Sequence, residues 1–411
     1  LYPVWVALGN RSATSYCQGT VLVSPVTFLW LAVWTGICVS GIYVVQPLLH
    51  LIGADFNVSD SQVSLVTTIT QMGYGVALFI LVPLGDFFEK RRLILLKLSF
   101  LVAATLACAF ARSFTLLLFS SLALGVFAST TQDFIPVAAD LAPDEKRGQY
   151  IGYVVTGLTT GILLCRTLSG WVAQAFGWRG SFMALTLASI FTLVSCYFFF
   201  PKLAARSRSG SVFSIYKSMY ALWKNHSSLR IAVIRHALMG MAFSAFWTNL
   251  SFFLSKDPFD WNASQIGSMG LAGALGALST SFTGRIADRQ GPVFSIKVAT
   301  IAAFFSFLAM LFFKFSVPCI IVGTVFFDLA VQTSLVSHQS IIYGIDASAR
   351  GRINGIFISG LFVGFSLGSL LSANIWSIAG WNGVMGFCCV CTVAAFFLTQ
   401  KNQAVSQSHD P

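Results

Sequence analysis

Residues Gln132 to Trp178 read QDFIPVAADLAPDEKRGQYIGYVVTGLTTGILLCRTLSGWVAQAFGW, two apolar runs hinged on a short charged turn. The chain contains this pattern twice. A shift of 203 residues lays Arg147-Gly148 on Arg350-Gly351, Gly152 on Gly355, Gly157 on Gly360 and Gly161 on Gly364. Ser169 then meets Ser372, and Gly177-Trp178 meets Gly380-Trp381. A long-period self-match sets the architecture before any local feature does.

The match reaches outward in both directions. At the same offset Tyr43 meets Phe246, Gln46 meets Asn249, Ser61-Gln62 meets Ser264-Gln265 and Gly73 meets Gly276. A one-residue slip then brings Asp86 onto Asp288. Hydrophobic residues make up 56% of the 411 positions and charged residues only 9%, against about 25% charge in soluble proteins. Apolar runs of roughly 20 residues, enough to cross a bilayer as helices, follow one another with short polar breaks. Barrel strands would be about 10 residues long and would alternate apolar with polar. The expectation is an all-α membrane protein of twelve spans in two six-helix bundles.

The spans predicted in the first half are 26–51, 62–84, 93–112, 114–141, 149–175 and 179–200. Those in the second are 231–255, 264–284, 292–313, 317–343, 353–378 and 381–400. The domains follow: an N-terminal extension over 1–25, bundles over 26–200 and 231–400, and a tail over 401–411. Between the bundles, 201–230 is the only long polar stretch. It is predicted to be a cytoplasmic linker with an amphipathic helix around Ile215–Trp223 lying on the membrane surface.

Six spans followed by six in the same orientation make a parallel repeat. The net charge of +11 is a topology signal rather than a nucleic-acid patch, because the basic residues sit in alternate loops. With both termini inside, the outer loops hold only Arg112, Arg179, Lys256 and Lys314, as the positive-inside rule requires. The nine cysteines lie mostly in apolar runs without framework spacing, so neither a disulfide scaffold nor a metal site is predicted.

After the second span comes Pro83-Leu-Gly85-Asp86-Phe-Phe-Glu89-Lys90-Arg91-Arg92, and after the eighth Gly284-Arg-Ile-Ala-Asp288-Arg289-Gln-Gly291. Each sets a carboxylate at one helix end and bases at the start of the next. Glycine permits the tight turn, and the acid can meet a cation or a helix N-terminus on the opposing half. Gly85, Asp86, Arg91, Gly284, Asp288, Arg289 and Gly291 are therefore candidates for a conformational latch. The plain alternative is a positive-inside turn with a capping acid.

These segments resemble the signature of the major facilitator superfamily, the second copy more closely. In the first, Glu89 and Val82 stand where the pattern has glycine. The resemblance covers residues 26–400. Tyr43-Val-Val-Gln46-Pro47, Arg147-Gly148, Gly161-Ile-Leu-Leu-Cys-Arg166-Thr-Leu-Ser-Gly170 and Gly177-Trp178-Arg179 further resemble a bacterial subgroup grouped with drug and sugar efflux permeases. What it implies is a secondary transporter of the bacterial inner membrane, with spans 1, 4, 7 and 10 lining the cavity. The partners expected are lipid, a small organic solute and protons, with no cofactor, the protein acting as a monomer.

An ionisable side chain at the bilayer centre costs about 2.5–3.5 kcal/mol on insertion scales, so Asp133, Arg166 and Asp328 need an explanation. At 1.5 Å per residue, Asp328 and Arg166 stand ~22 and ~25 Å above the inner ends of their helices, and Asp133 only ~12 Å. An Arg166–Asp328 ion pair between the halves is the expectation, with Asp133 too low to join it. A carboxylate in such a cavity can carry a proton, although structural pairing with an arginine or histidine accounts for it equally well. Tyr43, Gln46, Gln132, Trp247, Asn249 and Gln332 are the uncharged candidates on the cavity-lining spans. His338, near the inner end of the tenth span, is more simply a histidine hydrogen-bonded within the bundle.

The leading expectation is proton-coupled efflux of small organic solutes, with a proton-coupled importer as the alternative. A receptor or membrane enzyme is the reading from another class. The chain has no GxxxxGK and no HExxH motif. Gly364-Phe-Ser366-Leu-Gly368 fits GxSxG only in spelling, since that elbow needs a strand-to-helix turn.

Overall fold

The computed structural model describes residues 25–82, 88–143, 146–201, 212–278, 290–346 and 349–407. Of the latch candidates, Gly85, Asp86, Gly284, Asp288 and Arg289 lie outside the described residues. The first half comprises α1 (Pro25–Tyr43), a 3-10 turn (Gln46–Leu48), α2 (Leu49–Phe56), α3 (Asp60–Ile80), α4 (Lys90–Ala109), α5 (Phe114–Ala128), α6 (Thr131–Leu141) and α7 (Arg147–Phe199). The second comprises α8 (Val212–Asn225), α9 (Ser227–Leu254), α10 (Ala263–Leu278), α11 (Pro292–Phe312), α12 (Val317–Tyr343) and α13 (Arg350–Gln407). Among the described residues nine helical stretches are long and apolar enough to cross a membrane. Two of them, of 53 and 49 residues, each turn back at a glycine and so carry two spans; α10, of 16 residues, stands where the span 264–284 is expected, and the end of that span lies outside the described residues.

The double spans turn at the repeated glycine. Gly177 has φ 70° and ψ 173°, and Gly380 has φ 55° and ψ −148°, backbone that is open in effect only to glycine. The reversal at Gly177 is visible against α1. Phe28 stacks on Tyr150 near the start of α7, and Trp30 stacks on Phe199 at its end. Trp178 then donates its indole N–H to Asp55, pinning the turn to α2.

Glycines let the helices touch backbone to backbone, as small residues do in membrane bundles. A side chain at Gly161 of α7 would collide with the Gly36 carbonyl of α1. In the second half Gly364 and Gly368 of α13 sit in the same way on Ala237 and Met241 of α9. The outer flank carries Phe119, Phe198 and Phe312, about 70% exposed (68%, 70% and 73%). A polar solvent would penalise such a surface, whereas acyl chains match it. The linker does form a helix, α8, whose Met219 and Leu222 are buried and whose Tyr216 hydroxyl donates to the Ile80 carbonyl of the first half.

The halves meet at the end that carries Asp60 and Lys256. Asp60 accepts from Lys256 at 2.6 Å and from the Trp376 indole at 3.0 Å. Below this, short polar side chains form the seam: Ser61 to Asn374, His50 to Ser251, Thr68 to Ser369 and Ser244 to Gln71. Gly170 and Gly267 let α7 and α10 come into backbone contact across the same seam. At the opposite end α8 bridges the halves, the Tyr216 ring lying 6.0 Å from that of Phe79 and its hydroxyl donating to the Ile80 carbonyl. There Gly148 and Gly152 of α7 and Gly351 of α13 have nothing within 4 Å of where a Cβ would stand, among the described residues.

Candidate functional site

Midway along the seam one cluster draws residues from both halves. Pro47 creates it. Proline supplies no N–H, so the helix of α1 gives way to the 3-10 turn, with Leu48 N–H reaching the Val45 carbonyl instead of Val44. The freed Val44 carbonyl accepts from the Ser169 hydroxyl of α7 at 2.9 Å. That break turns Gln46, buried at 2% exposure, towards Arg166 on α7, and the Arg166 Nε donates to Gln46 Oε1 at 2.7 Å.

Arg166, itself 1% exposed, reaches the other half through aromatic rings. Its guanidinium carbon lies 3.9 Å from the Trp247 ring centre, 4.9 Å from Tyr43 and 5.6 Å from Phe243. A desolvated cation over an indole is worth about 2 kcal/mol. Trp247 in turn donates its Nε1–H to Asp328 Oδ1 on α12 at 3.3 Å. Gly273 of α10 leaves the room this requires, since a methyl there would collide with the other oxygen of Asp328.

One feature differs from the expectation. Arg166 and Asp328 do come from opposite halves into one cluster, but no direct ion pair joins them; none among the described residues involves either. Trp247 connects them, because it fills the space that a direct contact would need. Asp133 is engaged elsewhere: Lys97 of α4 meets it at 2.5 Å, both side chains buried. A second pair, Lys90–Asp140 at 2.6 Å, lies one heptad away on each helix. Antiparallel α4 and α6 thus carry two matched pairs seven residues apart. Sequence reasoning missed Lys97, although a lysine inside LILLKLSFLVAA was the same kind of signal as Asp133.

Gln132 is half-buried and donates to the Tyr74 hydroxyl at 3.2 Å. Asn249 is fully buried and donates to the Ala245 carbonyl and to Ser372; it packs α9 on α13. Gln332 is half-buried on α12. His338 belongs to a separate buried group in which its Nδ1 meets the Ser334 carbonyl at 2.7 Å, with His236 at 3.2 Å from the same serine's hydroxyl and both rings on Phe357. Arg91 donates to the Tyr197 carbonyl at 2.6 Å, and Gly291, at φ 87°, stands just ahead of α11. The structure therefore brings together Tyr43, Gln46, Arg166, Trp247 and Asp328, and leaves the other candidates outside that cluster.

The chain as a whole is similar to known transporters. The Major Facilitator Superfamily profile matches residues 29–345. The uncharacterized transporter YgaY of Escherichia coli O157:H7 is 33% identical over 368 residues, covering 88% of this chain and 92% of its own. A probable transporter of Streptomyces coelicolor is 29% identical over 372 residues, covering 90% and 84%. Among solved structures, a mutant form of the nucleoside transporter NupG superposes with a TM-score of 0.72 at 13% identity, covering 91% of this chain and 99% of that one. Profile, relatives and twofold bundle agree, and this multi-pass membrane protein belongs to the Major Facilitator Superfamily of transporters.

Proposed function

We propose that this transporter is a proton-coupled carrier of small organic solutes that alternates access between the two faces of a bacterial inner membrane. The observation that carries the reading is the chain Arg166–Trp247–Asp328, a buried cation and a buried carboxylate joined through one indole at the meeting of the halves. A group that gains a proton there changes the charge balance across the surface that must part, and so biases the two conformers. Loop charge supports an outside position for the Asp60–Lys256 end, so that this conformer is closed outward. The protein acts as a monomer, with lipid, solute and protons as its only partners.

Export is the direction supported by the likeness to drug and sugar efflux permeases. Import has one observation in its favour. A proton on Asp328 leaves Arg166 without a counter-charge, so proton and anionic solute would bind together rather than compete. The test is uptake of a solute panel into inverted vesicles with and without a proton gradient, comparing the wild type with Asp328→Asn. We expect gradient-driven movement that the variant loses. If no solute and no proton flux is seen, the transport reading itself goes; unaltered coupling in the variant removes Asp328 from it.

A further inference from the structure

The central cluster contains two donors with nothing to donate to. Nη2 of Arg166 and Nε2 of Gln46 are buried and have no hydrogen-bond partner among the described residues. Both residues line one small cavity of about 10 Å³, whose other walls are Pro47, Trp247, Leu250, Ser251 and Ile266. We propose that the transported solute is an organic carboxylate whose head group accepts from these two donors and whose apolar body lies against Trp247, Leu250 and Ile266. The inference rests on the transport reading above and names its substrate class.

A buried donor left unsatisfied costs roughly 1–3 kcal/mol, and more when it is charged. A folded chain that carries two such donors side by side is stabilised by any guest that only accepts. A carboxylate oxygen is such a guest, and a guanidinium edge with a neighbouring amide is a planar match for it. The aromatic rings around the guanidinium confine hydrogen bonding to its edge. The cavity has room for about one water-sized group, which suits one carboxylate oxygen and not the bulk of a phosphate. Asp328 does not fill the role, since its Oδ1 accepts from Trp247 and it makes no ion pair with Arg166. A cationic solute would face Arg166 directly, and a neutral one would leave its charge unanswered.

The experiment uses the full-length protein in nanodiscs and in proteoliposomes, in sulfate buffer without chloride. Thermal unfolding is measured against three matched sets: benzoate, benzamide and benzylamine; phenylacetate and its amide and amine; butyrate and its amide and amine. Chloride alone forms a separate arm. We expect a concentration-dependent rise in the midpoint with carboxylates only, because a ligand of the native state stabilises it. Gln46→Glu keeps the side-chain shape and supplies Arg166 with an internal carboxylate; it should weaken carboxylate binding by at least about tenfold. Arg166→Gln should abolish it, and if that variant fails to fold, the Gln46→Glu comparison still decides.

The proposal is overturned if amides or amines act as well as carboxylates. It is equally overturned if chloride alone reproduces the effect, or if no carboxylate binds at millimolar concentration. The same proteoliposomes separate the two levels. Gradient-driven movement of a neutral or cationic solute, without carboxylate binding, removes the substrate class and leaves the transporter. Absence of any solute or proton movement removes both.

Discussion

Arg166 and Trp247 belong to different halves of the molecule, yet the guanidinium carbon of one lies 3.9 Å from the ring centre of the other. Trp247 thus touches the buried cation with its face and Asp328 with its edge. The two contacts separate by substitution. Trp247→Phe keeps a face for Arg166 and removes the N–H, so solute movement should persist while its dependence on the proton gradient weakens. Trp247→Ala removes both and should cost about 3–5 kcal/mol of stability as well. Solute and proton flux measured together in proteoliposomes check this; unchanged coupling in Trp247→Phe would sink it.

The buried Lys97–Asp133 pair sets a second expectation. Breaking such a pair leaves one charge without its partner and costs about 3–5 kcal/mol, whereas replacing both by apolar groups is close to neutral. Lys97→Met alone should therefore lower the unfolding midpoint in detergent markedly. Lys97→Met with Asp133→Leu should recover most of that loss. A double variant no more stable than the single would show that the pair does not act as a unit.

Alternating access needs the Asp60–Lys256 end to part. Ser61 and Asn374 face each other there across the halves, their side-chain oxygens 3.4 Å apart. Ser61→Cys combined with Asn374→Cys should crosslink under oxidation and stop transport, and reduction should restore it. Each single variant, oxidised alone, should transport normally. Continued transport by the crosslinked protein would mean that this seam does not open.

The repeated turn glycine gives a fourth expectation. At φ 70° and 55°, with ψ near ±150–180°, Gly177 and Gly380 hold backbone that costs another residue of order 1–3 kcal/mol. Gly177→Ala and Gly380→Ala should each lower stability by that amount, although nothing lies within 4 Å of either Cβ position. An alanine in equally open helical backbone, at Gly148 or Gly351, should cost far less. Equal effects at all four sites in a thermal series would refute the assignment.

Span number and the two-bundle plan were readable because they depend on run length and on a self-match, both properties of the linear chain. Arg166 and Asp328 were identifiable as a pair because depth along a helix scales with residue number. Trp247 between them was not, since which residue faces a neighbouring helix depends on rotation about each axis. Lys97 could have been found: Lys90, Lys97, Asp133 and Asp140 show equal spacing on two adjacent spans. The orphan donors of Arg166 and Gln46 are visible only once Pro47 has broken the helix and side-chain partners are known.

The seam between the halves has a consequence for how the molecule moves. Many of its contacts are short hydroxyls and amides, such as Thr68 on Ser369 and Ser244 on Gln71, beside ring contacts such as Tyr74 on Phe362. Water can replace either partner of such a bond at nearly equal strength, whereas parted hydrocarbon would have no substitute. Parting of the halves would then be eased by hydration, each polar contact exchanging its partner for water. The polar part of such an interface loses little on wetting, which lowers the cost of parting the halves.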